Sequence, residues 1–114
     1  MKIVFTATGK SWDSQIDPRL GRAQFLLIYD TDAKSLNAID NRETAEFSHG
    51  VGPITVKKIH DSGAEVVITG NGPGSKAVLV LQKTDIKIFT GAESLTVRQA
   101  LNEYEQGNLN LFRY

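Results

Sequence analysis

The chain of 114 residues has no cysteine, and its only methionine is Met1. Without a thiol there is no disulfide framework, no thiolate-ligated zinc site and no cysteine nucleophile. An excess of charge of either sign is also missing. Thirteen basic and 13 acidic residues give a formal net charge of zero, which argues against a broad electrostatic footprint for nucleic acid or an anionic membrane. No apolar run approaches the roughly 20 residues of a membrane span, and the run in MKIVFTATGK is too short for a signal peptide. No linker, repeat or low-complexity segment divides the sequence. The expectation is one cytoplasmic domain, residues 1–114, large enough to bury a core without disulfide or metal staples.

What is present reads as alternating strands and helices. Ile3 to Thr6 is a short buried strand. Residues 7–24, rich in Gly, Ser, Asp and Pro without a sustained period, form a long loop of the kind that is usually functional when ordered. Phe25 to Asp30 and Leu36 to Asp40 are the strands of a hairpin around TDAK. NRETAEFSHGVG (41–52) is another loop, and Pro53 to Ser62 is a helix with Pro in its first turn and Gly63 as its stop. Ala64 to Thr69 reads as a strand buried on both faces, and Ile86 to Phe89 as a further strand. Between them, SKAVLVLQKT suits a strand by composition. Two parallel strands need a crossover, however, and this segment is the only candidate helix for it. Thr96 to Gln106 is the last helix, with Gly107 ending it.

These elements predict a three-layer α/β domain: a five-stranded mixed sheet of order 3-2-1-4-5, the second strand alone antiparallel, with helices on both faces. Loops at the carboxyl ends of the parallel strands then share one edge, and ligands in such sheets sit where the strand order reverses, here between the first and fourth strands. Ala7 to Lys10, Arg19 to Phe25, His49 to Gly52, Gly70 to Gly74 and Gly91 are expected there. Two of these loops open helices, so N–H groups and positive dipole ends point into the crevice. The predicted site is an anion site.

The stretch TGNGPGSKA (69–77) satisfies neither common phosphate motif. Ser75 stands where G-x-G-x-x-G needs its third glycine, and a P-loop ends Gly-Lys-Ser/Thr, whereas here Ser75 precedes Lys76. A tight strand-to-helix turn explains part of its glycine; three glycines with a proline exceed that need. DPRLGRA (17–23) places Arg19 and Arg22 around Gly21, either as a solvated surface loop or as a paired guanidinium clamp. His60 falls inside a helix, while His49 lies in the converging loops, able to donate to an anion or bind a soft metal through one nitrogen. No carboxylate set or serine arrangement forms a catalytic constellation, so no enzyme is expected. A nuclease of the ribonuclease H type has this strand order but needs an Asp on the first strand, and KIVFTAT has none.

DSQIDPRLGRAQFLLIYD, HGVGP, GAEVVITGNGPG, IKIFTGA and VRQALNEYEQGNL, in this order over nearly the whole chain, resemble the dinitrogenase iron–molybdenum cofactor biosynthesis family. That family includes NifX, the NifX-like part of NifB and the molybdenum–copper orange proteins. The resemblance implies a ribonuclease H-like fold without nuclease residues. It also implies non-catalytic binding of a metal–sulfur cluster, molybdenum with iron or copper, held without covalent attachment. By position, the cofactor-binding residues are then Arg19, Gly21, Arg22, His49, Gly50, Gly70, Asn71, Gly72 and Gly74, with His49 as the one metal contact. Leu20 stands where members often have Phe. The implied partner is a cluster donor or recipient protein of an assembly pathway, for a monomer or weak dimer. A module binding a phosphometabolite or nucleotide, and a structural protein using these loops as an interface, are the alternatives.

Overall fold

A computed structural model describes the whole chain, Met1–Tyr114. The strands β1 (Lys2–Ala7), β2 (Phe25–Asp30) and β3 (Ser35–Asp40) open it, followed by a single-turn helix α1 (Arg42–Ala45) and the longer α2 (Val51–Asp61). Then come β4 (Val66–Ile68), α3 (Ser75–Leu81), β5 (Lys87–Thr90), α4 (Val97–Glu105) and β6 (Asn110–Leu111). They form one mixed sheet in the order β3-β2-β1-β4-β5-β6. β1 and β4 run parallel with Val4 opposite Val67, whereas β1 and β2 run antiparallel with Val4 opposite Ile28.

Side chains alternate across a strand, and this divides the core into two layers. Val4, Leu26, Val67 and Ile88 pack beneath Val56 and Ile59 of α2 and Ala77 and Leu81 of α3. Ile3, Phe5, Leu27 and Ile68 pack on the other face, beneath Val97 and Ala100 of α4. Full burial of each Val, Leu, Ile or Phe among these contributes about 1.5–3 kcal/mol. The three residues of β4 are all buried, as befits a central strand that supplies both layers. α4 starts at a reciprocal cap: the Gln99 N–H donates to Thr96 Oγ1 (3.2 Å) and the Thr96 N–H donates to Gln99 Oε1 (3.0 Å). No helix is long and apolar enough to cross a membrane.

Three sequence expectations are corrected. The sheet has six strands and not five, because Asn110 and Leu111 pair antiparallel with Thr90 and Phe89. One helical turn, α1, lies inside the segment expected to be loop. The helix expected from Pro53 begins at Val51, with Gly50 as its N-cap at φ +72°. Gly supplies that left-handed backbone at no steric cost, and Pro53, within the first turn, lacks an N–H that would find no partner in the helix anyway.

The long loop after β1 also takes an unexpected path. Its first half crosses the α4 face: the Val97 N–H donates to Ser14 O and the Arg98 N–H to Trp12 O, both at 2.9 Å. Trp12 stands edge-on to Phe5 and Tyr29 there.

Candidate functional site

Three segments converge at the carboxyl ends of β1 and β4, the point where the strand order reverses. Arg19–Arg22, Ser48–Gly52 and Asn71–Ala77 (apart from Pro73) line a cleft of about 500 Å³. Backbones meet closely beneath it. A Cβ on Gly21 would lie 3.1 Å from the Gly52 Cα, and a Cβ on Gly52 would lie 3.1 Å from the Ala77 Cβ. Glycine at both positions therefore lets the first loop, the start of α2 and the start of α3 stack without a gap.

A buried polar knot fixes the same junction. The Thr55 hydroxyl donates to Gly21 O (2.6 Å), while Asn41 Nδ2 donates to Ala23 O (2.9 Å) and to Thr55 Oγ1 (3.2 Å). Lys58 Nζ closes it by donating to Asn41 Oδ1 (2.8 Å) and Thr44 Oγ1 (2.9 Å). Below it, the Thr6 hydroxyl, with a single proton, donates to Asp17 O and accepts from Thr69 Oγ1, both at 2.8 Å. Every polar atom of the knot has a partner, so the cleft floor is a rigid support.

The lining carries three formal cations, Arg19, Arg22 and Lys76, and no carboxylate. They are not equivalent. Arg19 is paired with Asp17, whose carboxylate is fully buried and accepts from Arg19 Nε, Arg19 Nη2 and the N–H groups of Arg19 and Gln24 at 3.1–3.2 Å. The two guanidinium bonds to Asp17, with the charge of its carboxylate added, raise the basicity of Arg19. Arg22 instead donates Nη1 to Ala45 O (2.8 Å) and Phe47 O (3.0 Å) and has no carboxylate partner. The Lys76 ammonium makes neither a hydrogen bond nor an ion pair. In a chain of zero net charge, the cleft thus concentrates two uncompensated cations.

Backbone donors add to this. Neither α2 nor α3 has a side-chain cap or an acidic residue in its first turn, and the N–H groups of Val51, Gly52, Ser75, Lys76 and Ala77 have no acceptor within the fold. The eleven-residue α2 directs its positive dipole end at the cleft. The arrangement is suited to holding a multiply charged anion by hydrogen bonds. Nowhere do three His, Cys, Asp or Glu side chains come together to hold a bare metal ion.

Of the residues expected at the site, Arg19, Gly21, Arg22, His49, Gly50, Asn71, Gly72 and Gly74 all line the cleft. Gly70 does not. It is buried behind the loop, where a Cβ would stand 2.7 Å from the Pro18 Cα and 2.8 Å from the Glu93 Cβ. Ala7 to Lys10 and Gly91, expected at this edge, are outside the lining too, the former because the loop turns away onto α4. His49 is an exposed part of the wall, whereas His60 sits on the surface of α2 with Nδ1 3.6 Å from Asp61 Oδ1. Ser48, Ser75 and Lys76 line the cleft without having been singled out for binding. For the last two the signal was their place at the start of a helix following a glycine loop.

The model of the family described as dinitrogenase iron-molybdenum cofactor matches residues 1–107. No curated protein sequence matches the chain. Among solved structures, the apo form of the orange protein from Desulfovibrio gigas is similar with 35% identity and a TM-score of 0.90, over 97% of this chain and 92% of that one. A Thermotoga protein described as NifB-like and placed in the DUF35 family, solved by NMR, is similar with 26% identity and a TM-score of 0.83. That likeness covers 99% of this chain and 97% of the other.

Proposed function

The chain belongs to the dinitrogenase iron–molybdenum cofactor family, and from that premise we propose that it is a small non-catalytic carrier for an anionic metal–sulfur cluster or cofactor precursor. The observation that carries the reading is the cleft lining: Arg22 and Lys76 uncompensated, Arg19 beside them, uncapped N–H groups at the start of α2, and no carboxylate. A molybdenum–iron or molybdenum–copper sulfide brings its metals already ligated by sulfide. It needs hydrogen-bond donors and positive charge from the protein and no thiolate, which suits a chain without cysteine.

Charge-assisted hydrogen bonds contribute about 1.5–3 kcal/mol each. Four of them at the upper end of that range, less an association cost of about 4 kcal/mol, leave about 8 kcal/mol, an affinity near 1 μM, which lets a carrier release its cargo. In this proposal Arg22, Lys76 and the N–H groups of Val51 and Gly52 hold the sulfide surface, Arg19 contributes from its ion pair, and His49 offers the single imidazole for an exposed metal. The scaffold is a ribonuclease H-like sheet whose first strand, KIVFTA, lacks the metal-holding Asp of the nucleases. The setting is cytoplasmic, with a cluster donor or recipient protein as partner.

The test is reconstitution. The purified protein is mixed anaerobically with tetrathiomolybdate, with and without copper(I), and passed through a gel-filtration column. Visible absorbance co-eluting with the protein at a fixed stoichiometry is expected. Colour remaining in the small-molecule fractions, or retention of phosphate or a nucleotide in its place, would overturn the reading.

A further inference from the structure

The back of the cleft's glycine loop rests on an aromatic ring from the far end of the chain. A Cβ placed on Gly72 would lie 3.4–3.6 Å from three ring carbons of Phe112, ordinary contact distances. The ring therefore occupies the space behind Gly72 that a side chain at this position would meet. Phe112 is half-buried and packs against the core layer shared by α2 and α3.

The segment carrying the ring is fixed along its length. Asn110 and Leu111 pair with Thr90 and Phe89 of β5, and the Phe112 N–H donates to Ile88 O at 2.8 Å. Tyr114 stands edge-on to Phe112 at 5.8 Å, with its hydroxyl donating to Ile86 O. The loop it supports has little of its own. Between Asn71 and Gly74 the only backbone N–H with an acceptor is that of Asn71, which donates to Pro18 O at 2.7 Å.

We propose that Phe112, carried on β6, is a positioning residue for the cleft: it sets the place of the Asn71–Gly74 loop, and with it the wall that faces the bound anion. Phe112 lies beyond the span matched by the family model, which ends at residue 107. The proposal rests on the carrier reading for its binding consequence, but its structural half stands apart from it. Without the ring, the loop can sink toward the core and its N–H groups and the start of α3 lose their registration with Gly52 and Arg22. The cleft would keep its charge and lose its shape.

The experiment compares wild type, Phe112→Ala and Phe112→Leu in two readouts. One is the dissociation constant for tetrathiomolybdate. The other is amide exchange of Asn71 in the protein alone, normalised to the buried amide of Val67. Phe112→Ala is expected to bind about tenfold more weakly, the low end of what loss of outer-shell support costs a metal site. Its Asn71 amide should exchange faster relative to Val67, and Phe112→Leu should recover most of both.

If Phe112→Ala does not fold, the graded pair Phe112→Leu and Phe112→Val carries the same comparison. Unchanged affinity together with unchanged Asn71 exchange would overturn the assignment. If wild type itself fails to bind tetrathiomolybdate, the carrier reading falls, and the Asn71 exchange alone decides for or against the buttress.

Discussion

The Asp17 carboxylate and the Arg19 guanidinium form a two-point ion pair, Nε to Oδ1 at 3.1 Å and Nη2 to Oδ2 at 3.2 Å, in which the carboxylate is fully buried and the arginine side chain 52% exposed. The pair lies at the base of the cleft wall, so Arg19 serves the fold before it serves a ligand. The free positive charge falls to Arg22 and Lys76. The paired guanidinium clamp, one of the two readings of DPRLGRA, thus has unlike halves: one arginine held in an ion pair with Asp17 and one whose guanidinium is tied only to the carbonyls of Ala45 and Phe47.

Replacing Arg19 by Ala should therefore damage stability as well as binding. It leaves the Asp17 carboxylate buried with only the N–H groups of Arg19 and Gln24 as donors. The cost, reduced by the exposure of the arginine, is about 1–3 kcal/mol. Thermal denaturation should show a fall in Tm of at least about 4 °C. An unchanged Tm would mean that the ion pair holds nothing in place.

Lys76→Ala is the opposite case. The side chain has no partner in the fold, so stability should stay within about 0.5 kcal/mol of wild type. Thiometallate affinity should fall roughly fivefold, about 1 kcal/mol for one exposed charge near an anion. The difference from wild type should shrink as salt is raised, because screening acts on exposed charges. Titrations at low and high ionic strength check this, and equal affinities at low salt would remove Lys76 from the site.

Gly21→Ala tests the junction beneath the cleft. The added methyl would stand 3.1 Å from the Gly52 Cα and 3.3 Å from its N, and neither is the movable end of a side chain. Overpacking of this kind costs about 1–3 kcal/mol, so a lower denaturation midpoint and a weaker affinity should appear together. A variant as stable as wild type would show that the loops have slack.

Much of this was legible in the sequence, for reasons that differ by element. Phe25 to Asp30 was bounded correctly because its apolar run ends at turn residues. The helix at Ser75 was recoverable against its own strand-like Val78–Leu81 only through the geometry of parallel crossovers. β6 was missed although Asn108 to Leu111 alternate polar and apolar, because the strand is only two residues long and its existence depends on the edge of β5. The early start of α2 was hidden by Gly50 and Gly52, which read locally as loop although one caps the helix and the other is required by the approach of Ala77. Gly70 was credited to the ligand for its place in a glycine motif, while the backbone of Pro18 is what excludes a side chain there. Which of the two arginines is compensated could not be read at all, since it depends on Asp17 being buried by contacts distant in sequence.

The rim of the sheet offers a separate check on the electrostatics. Arg42 donates Nε and Nη2 to the Asp40 carboxylate, and its N–H donates to Oδ1 as well, which together hold the Asp40 pKa down to about 2 from an ordinary 3.8. The folded value lies below the unfolded one. The contribution to stability is therefore fully present above the unfolded value of about 3.8 and is lost as pH falls through about 2. Carboxyl-detected NMR should show Asp40 titrating near 2 in wild type and higher in Arg42→Ala, which loses the guanidinium but keeps the residue-42 N–H bond to Oδ1. A wild-type value near 3.8 would contradict the pair.

The most direct test of the cleft as the cargo site is an amide chemical-shift titration of the ¹⁵N-labelled protein with tetrathiomolybdate under anaerobic conditions. The account predicts saturable shifts at Val51, Gly52, Gly72, Gly74, Ser75, Lys76 and Ala77, with the α4 face and β3 left unmoved. Saturable shifts centred on α4 or on β3, with the cleft amides silent, would contradict it.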